Sequence, residues 1–259
     1  MTLNAATSQI FNKANLKLGL PLISTVILAA CGGGNSSSSS SSSPPTLSLN
    51  AAYTSYVKGG SQVTGAISGY CQGTRVLTYS ATYLGTTLSN IPALISNNNE
   101  TDTLAANSSQ FCQSFYSSNN GGNTYQIYYD PTNVTPITSG ATKNGFPLGY
   151  VYSNQVAPPT SVTAGATGTL ATYLNYDGEP IPLTSGAITW AVTADTATTL
   201  LWTTTDTAKV YGTELLIYKS ITTYRINANS TLTDLYKNIQ ATTIATQGQG
   251  DQNIYEVYQ

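Results

Sequence analysis

Apolar residues in this chain alternate with polar ones over short runs, the signature of strands with one buried face. The second half is the most regular. Gly168–Tyr176 places Leu170, Leu174 and Tyr176 on one face, and Asp177-Gly178 follows as a hairpin turn. Ala187–Thr193 puts Ile188, Trp190 and Val192 on its buried side. Thr198–Thr205, Val210–Tyr218, Ile221–Ala228 and Leu232–Ile239 continue the series, so six strands are expected in an antiparallel meander. Ile254–Tyr258 reads as an added edge strand.

The first half is less even. Leu49, Ala52, Tyr53, Tyr56 and Val57 follow helical spacing, with Ser48 before them and Lys58 and Gly59-Gly60 after, so a short N-terminal helix is expected. Gln62–Ser68 and Thr74–Ser80 read as a hairpin around Cys71. Asn97-Asn98-Asn99 reads as a loop. Gln110–Tyr116 and Thr124–Tyr129 read as strands joined by Asn119-Asn120-Gly121-Gly122, and Gly149–Ser153 as a short strand. The fold class is mainly β: antiparallel meander sheets, sandwich or half-barrel-like, with that short helix. Pro158-Pro159 divides a disulfide-stapled subdomain, 47–157, from a β-meander subdomain, 158–259, although one sheet could span both.

Composition supports β structure and removes some functions. Charged residues make up 8% of the chain, against about 25% in ordinary globular proteins. Thr, Ser, Asn, Gly and Tyr carry the polarity instead. Nine basic and eleven acidic groups, with Lys13 and Lys17 near the N-terminus, leave the remainder acidic and without a basic stripe, so nucleic acid is not an expected partner.

Residues 1–30 read as a targeting segment: Lys13 and Lys17, then an apolar run from Leu18 to Ala30, too short to span a bilayer as a helix. The run ends in Leu28-Ala29-Ala30-Cys31-Gly32, which resembles the lipobox of bacterial lipoproteins. The resemblance implies cleavage before Cys31, acylation of its sulfur and new amino group, and membrane attachment through those chains. Gly32 stands where an inner-membrane retention Asp would be, which implies the outer membrane. Residues 31–46 hold the lipidated Cys, then glycines, a serine run and Pro44-Pro45, a flexible tether with a span of roughly 20 Å.

Beyond Cys31 only Cys71 and Cys112 remain, and an even pair in an exported chain is expected to form a disulfide. There is no histidine, which rules out Ser-His-Asp and Cys-His units and His-ligated metal. No metal or cofactor is expected. Tyr218-Lys219-Ser220 offers a Ser–Lys pair, but strand neighbours point to opposite faces. Asp177 with Glu179, a candidate acid–base pair, and Glu100 with Asp102, candidate oxygen ligands for Ca²⁺, both read as solvated turn residues instead. Asp130, Asp177, Asp195, Asp206 and Asp234 fall singly at turn or strand-end positions, so no enclosed site with converging, strongly perturbed carboxyls is expected, and no hydrolase activity. Nineteen tyrosines, clustered at Tyr125, Tyr128 and Tyr129 and at Tyr150 and Tyr152, read as sheet-face packing.

These observations describe a non-catalytic envelope lipoprotein that binds or associates, its partner open between a protein and a glycan. One alternative is a carrier holding an apolar ligand or lipid in a curved sheet near Leu170, Leu174, Ile188 and Trp190, by analogy with lipoprotein-sorting factors. The other is a glycan-acting hydrolase with paired carboxylates.

Overall fold

A computed structural model describes residues 44–87, 90–116, 123–143, 146–241 and 251–259. The leader, Cys31 and the expected turn at Asn119–Gly122 lie outside the described residues.

The described chain is mainly antiparallel β. Helix α1 (Leu49–Gly59) starts where the Ser48 side chain accepts a hydrogen bond from the Ala51 amide and ends at Gly60, whose φ of 70° suits a residue without Cβ. The strands that follow are β1 (Ser61–Gly69), β2 (Gly73–Tyr79), β3 (Tyr83–Thr86) and β4 (Pro92–Leu104). After helix α2 (Gln110–Phe115) come β5 (Asn123–Tyr129), β6 (Pro136–Ser139), β7 (Ala141–Lys143) and β8 (Phe146–Ser153). The long hairpins are β9 (Thr167–Asp177), β10 (Thr184–Ala194), β11 (Leu200–Val210), β12 (Leu216–Ile226) and β13 (Leu232–Ala241), and β14 (Gln252–Tyr258) ends the series.

All fourteen strands belong to one sheet, which crosses the Pro158-Pro159 boundary through the β8–β9 pairing. β4 pairs with β2 as well as β5, so twelve strands close into a barrel and only β3 and β7 lie off the ring. Several local readings change. The Asn97–Asn99 run lies within β4, where its backbone pairs with β2 and β5. Gln110–Phe115 is helical, opened by Ser109, whose side-chain oxygen accepts from the Cys112 amide and whose carbonyl accepts from the Gln113 amide. The expected breaks after Thr205 and at Lys219-Ser220 do not occur. β11 and β12 run through, and the chain reverses at 211–215 around Gly212, φ 73°. β14 is not an edge: β13 and β1 flank it on both sides.

A twelve-stranded ring is wider than its own side chains fill comfortably, since about eight strands already suffice for that. Helix α1 occupies the excess. Its Leu49 and Ala52 pack on Leu170, Trp190, Leu200 and Trp202, while Val57 packs on Leu94 and Tyr129. β11 and β4 lie half a ring apart in the strand order, so one helix touching both lies across the lumen. α2 serves the other end, where Cys112 and Tyr116 pack with Ile67, Cys71, Ile239 and Ile254. Leu232 and Ile239, near opposite ends of β13, join these two different clusters. Cys71 and Cys112 form a disulfide with Cα atoms 5.6 Å apart.

On the outer face Gln62, Thr64 and Ser68 of β1 and Asn99, Thr101 and Thr103 of β4 are exposed polar residues, whereas Tyr236 of β13 and Tyr255 and Val257 of β14 are exposed aromatic and apolar ones. Among the described residues no helix is long and apolar enough to cross a membrane.

Candidate functional site

Strand alternation sends every second side chain into the barrel, and in this chain many of those positions hold tyrosines and acids beside the aliphatics of the two packed clusters. Around the lumen stand Tyr79 on β2, Tyr125 and Tyr129 on β5, Tyr150 and Tyr152 on β8, Tyr173 on β9, Tyr218 and Tyr224 on β12 and Tyr258 on β14, with Tyr53 and Tyr56 on α1. Tyr128, on the other face of β5, packs with Ala93, Ile95 and Ile137. Burial raises the phenol pKa of Tyr53, Tyr79, Tyr150, Tyr152, Tyr218 and Tyr224. Burial in the surrounding protein raises the pKa of all six phenols, yet each of these side chains is only half-buried.

Three groups of side chains divide the lumen. The first surrounds Arg75. Its Nε donates to Asp102 Oδ1 at 2.7 Å and its Nη2 to Asp102 Oδ2 at 2.9 Å. Glu100 and Glu256 each lie 3.4 Å from the guanidinium, and the Tyr116 ring lies under it at 4.6 Å. Burial alone would raise the Glu256 pKa, but Lys237 and Arg75 bring it below the usual range, helped by hydrogen bonds from Tyr258 and Tyr116. Glu100 and Asp102 are therefore not solvated turn residues. With Glu256 they converge in an enclosed site, contrary to the expectation of isolated acids, because β2–β4 closure brings distant segments together. They converge on Arg75, whose single positive charge offsets one of their three.

The second group centres on Asp206, in mid-strand on β11 rather than at a strand end. Tyr173 Oη donates to Asp206 Oδ1 at 2.7 Å, and Tyr150 and Tyr152 pack edge-on against Tyr173 at 5.1 and 6.0 Å. Burial pushes the Asp206 pKa up to about 6 against the lowering effects of Tyr173, Lys237 and Tyr218. Gly186 permits this arrangement: a Cβ there would lie 2.2 Å from Tyr173 Cζ.

The third group lies beside α1. Tyr56 Oη sits 3.1 Å from both oxygens of Asp234, and its ring is 5.8 Å from Tyr79 and 5.9 Å from Tyr224. Trp202 stacks on Tyr224 at 5.1 Å, and Tyr53 meets Trp202 edge-on at 5.9 Å. Burial raises the Asp234 pKa, opposed by its hydrogen bond from Tyr56. Nearby polar atoms lack partners: Ser61 Oγ, Asn98 Nδ2 and Trp202 Nε1. Ser61, Tyr79, Asn98 and Tyr125 form one cross-strand row, so two of these orphans flank the Tyr79 position.

The chain matches no protein-family model, no curated protein and no solved structure. Its functional reading rests on this geometry.

The remaining candidates separate. Leu170, Trp190 and half-buried Ile188 belong to the packed core around α1, whereas Leu174 belongs to none of the core clusters. A bulge explains the split: Ala171 pairs with Ile188 and Thr169 with Thr189, so Leu170 is the extra residue and the alternation beyond it is inverted. Asp177 ends β9 and Glu179 is exposed beyond it. Asp130 caps its turn, accepting from the Thr132 and Asn133 amides, and Asp195 pairs with Arg225 at 2.7 Å. Among the described residues no three acids or cysteines are placed to hold a metal ion. Sequence reasoning missed the lumen tyrosines as a set. The i, i+2 spacing of Tyr150 and Tyr152 signalled a shared face, but not which one.

Proposed function

We propose that this protein is an envelope lipoprotein, held by acylated Cys31 on the outer membrane, that binds a small polar ligand in its barrel lumen without transforming it. The observation that carries the reading is the set of enclosed lumen tyrosines that retain accessible surface. Tyrosine offers a ligand a flat apolar face and a hydroxyl at low entropic cost. The unpartnered atoms of Ser61, Asn98 and Trp202 add hydrogen-bonding capacity that the protein itself leaves unused. The exposed polar residues of β1 and β4 suit a domain standing off the bilayer on a tether, since a lipid-facing barrel needs an apolar band running round all its strands.

A carrier of apolar cargo is less well supported. Leu170 and Trp190, which would line its pocket, are packed against α1. Hydrolysis is also less well supported, because Glu100, Asp102 and Glu256 are tied to Arg75.

Native mass spectrometry of the detergent-extracted mature lipoprotein, exposed to a mixture of small polar metabolites, tests the proposal. The expected result is a saturable one-to-one adduct that alters Trp202 emission. Thr204→Trp, which fills the lumen from β11, should abolish it. An adduct indifferent to that substitution, or none, refutes lumen binding.

A further inference from the structure

Asp234 is 8% exposed, and among the described residues its carboxylate meets no cation, the ion pairs there being those of Arg75, Lys209 and Arg225. The side chains that act on it are phenols, Tyr56 from α1, Tyr79 from β2 and Tyr224 from β12, and its own backbone amide adds a hydrogen bond. A hydroxyl donor eases the burial of a carboxylate but leaves its charge uncompensated. The Tyr79 and Tyr224 rings lie 5.8 and 5.9 Å from the Tyr56 ring, and Trp202 backs Tyr224. Aromatic faces attract cations through their quadrupole, most strongly where water is excluded. Carboxylate and rings thus favour the same kind of ligand. Asp206 has a similar tyrosine setting, but Lys237 already lies within its field.

We propose that the lumen ligand carries an organic ammonium group, seated among the rings of Tyr56, Tyr79 and Tyr224 with Asp234 as counter-ion. This rests on the lumen-binding reading above and adds its chemical class. Ser61 Oγ and the Asn98 amide, on either side of Tyr79, would then meet the polar remainder of the ligand.

Choline and its uncharged isostere 3,3-dimethylbutan-1-ol differ in charge at nearly constant shape, so they separate charge recognition from simple filling of space. Titration of the mature lipoprotein, followed by calorimetry and Trp emission, should show choline binding at least tenfold more tightly than the alcohol. Tetramethylammonium and ethanolamine extend the series. Asp234→Asn should weaken choline at least tenfold, whereas Asp195→Asn, at the Arg225 pair, should leave it unchanged. Tyr224→Phe should retain binding and Tyr224→Leu lose most of it, which keeps the test open if Asp234→Asn unfolds. Acidification from pH 7 to 4 should weaken choline as Asp234 takes up its proton. Equal affinity for the alcohol, indifference to both Asp234→Asn and Tyr224→Leu, or no saturable binding of any of the three ammonium probes overturns the inference. Saturable binding of maltose that Thr204→Trp abolishes, with none of the ammonium probes, would overturn the ammonium class and leave lumen binding standing.

Discussion

Arg75 and Asp102 face each other across β2 and β4 and join through two parallel hydrogen bonds, at the pairing that closes the barrel. Planar guanidinium and planar carboxylate match in this geometry, which Lys could not reproduce. The pair sits in register, so the same contact that neutralises Asp102 also selects the strand alignment.

Removing Arg75 leaves Glu100, Asp102 and Glu256 without their shared cation. Arg75→Met should destabilise the fold by about 3–5 kcal/mol, and Arg75→Lys should recover only part of that. Urea denaturation midpoints at constant slope measure both.

Asp206 sets a pH dependence whose sign follows from its folded-state pKa of about 6, above the unfolded value of about 3.9. The folded chain therefore takes up this proton first, and stability should rise as pH falls from 8 to 5, by about 1.4 kcal/mol from this group. Asp234 shifts the same way and adds to the rise, whereas Glu256 and Asp195 shift down and oppose it at lower pH. Asp206→Asn should be more stable than wild type at pH 8, with a flatter profile. A Tm comparison at pH 5 and 8 decides; a wild-type Tm that falls between pH 8 and 5 contradicts the assignment.

Cys71 and Cys112 close a loop of 41 residues and hold α2 over the barrel end. The chain-entropy account puts their contribution at about 4 kcal/mol. Cys71→Ala/Cys112→Ala should lower the Tm and raise protease sensitivity around 105–116 before the rest of the barrel yields. Limited proteolysis with mass mapping checks the order.

If Cys31 carries the anchor, Cys31→Ser should leave an unprocessed precursor or release the protein from membranes. Fractionation reports the second outcome. Mass spectrometry finding mature protein with an unmodified Cys31 would rule out the anchor.

The sequence alone determined what depends on neighbours along the chain. Ser48 and Gly60 mark the ends of α1 because capping is local. The alternation around Trp190 and Val192 marks β10 because a strand's period survives in any sheet. Two cysteines beyond the leader left one pairing to make. Closure depended on contacts far apart in sequence. β4 pairs with β2 through a stretch that includes Asn98 and Asn99, where composition argues for a loop, and β14 joins the C-terminal residues to β1. Interior and exterior were equally hard to read. Hydrophobic period identifies the buried face only when burial means an apolar core, and here tyrosines and acids share the inside with the apolar clusters. The bulge at Leu170 then inverted one strand's alternation. Placing α1 in the lumen, and Asp234 among three phenols, required opposite walls of a closed ring, which only the tertiary structure brings within reach of one helix.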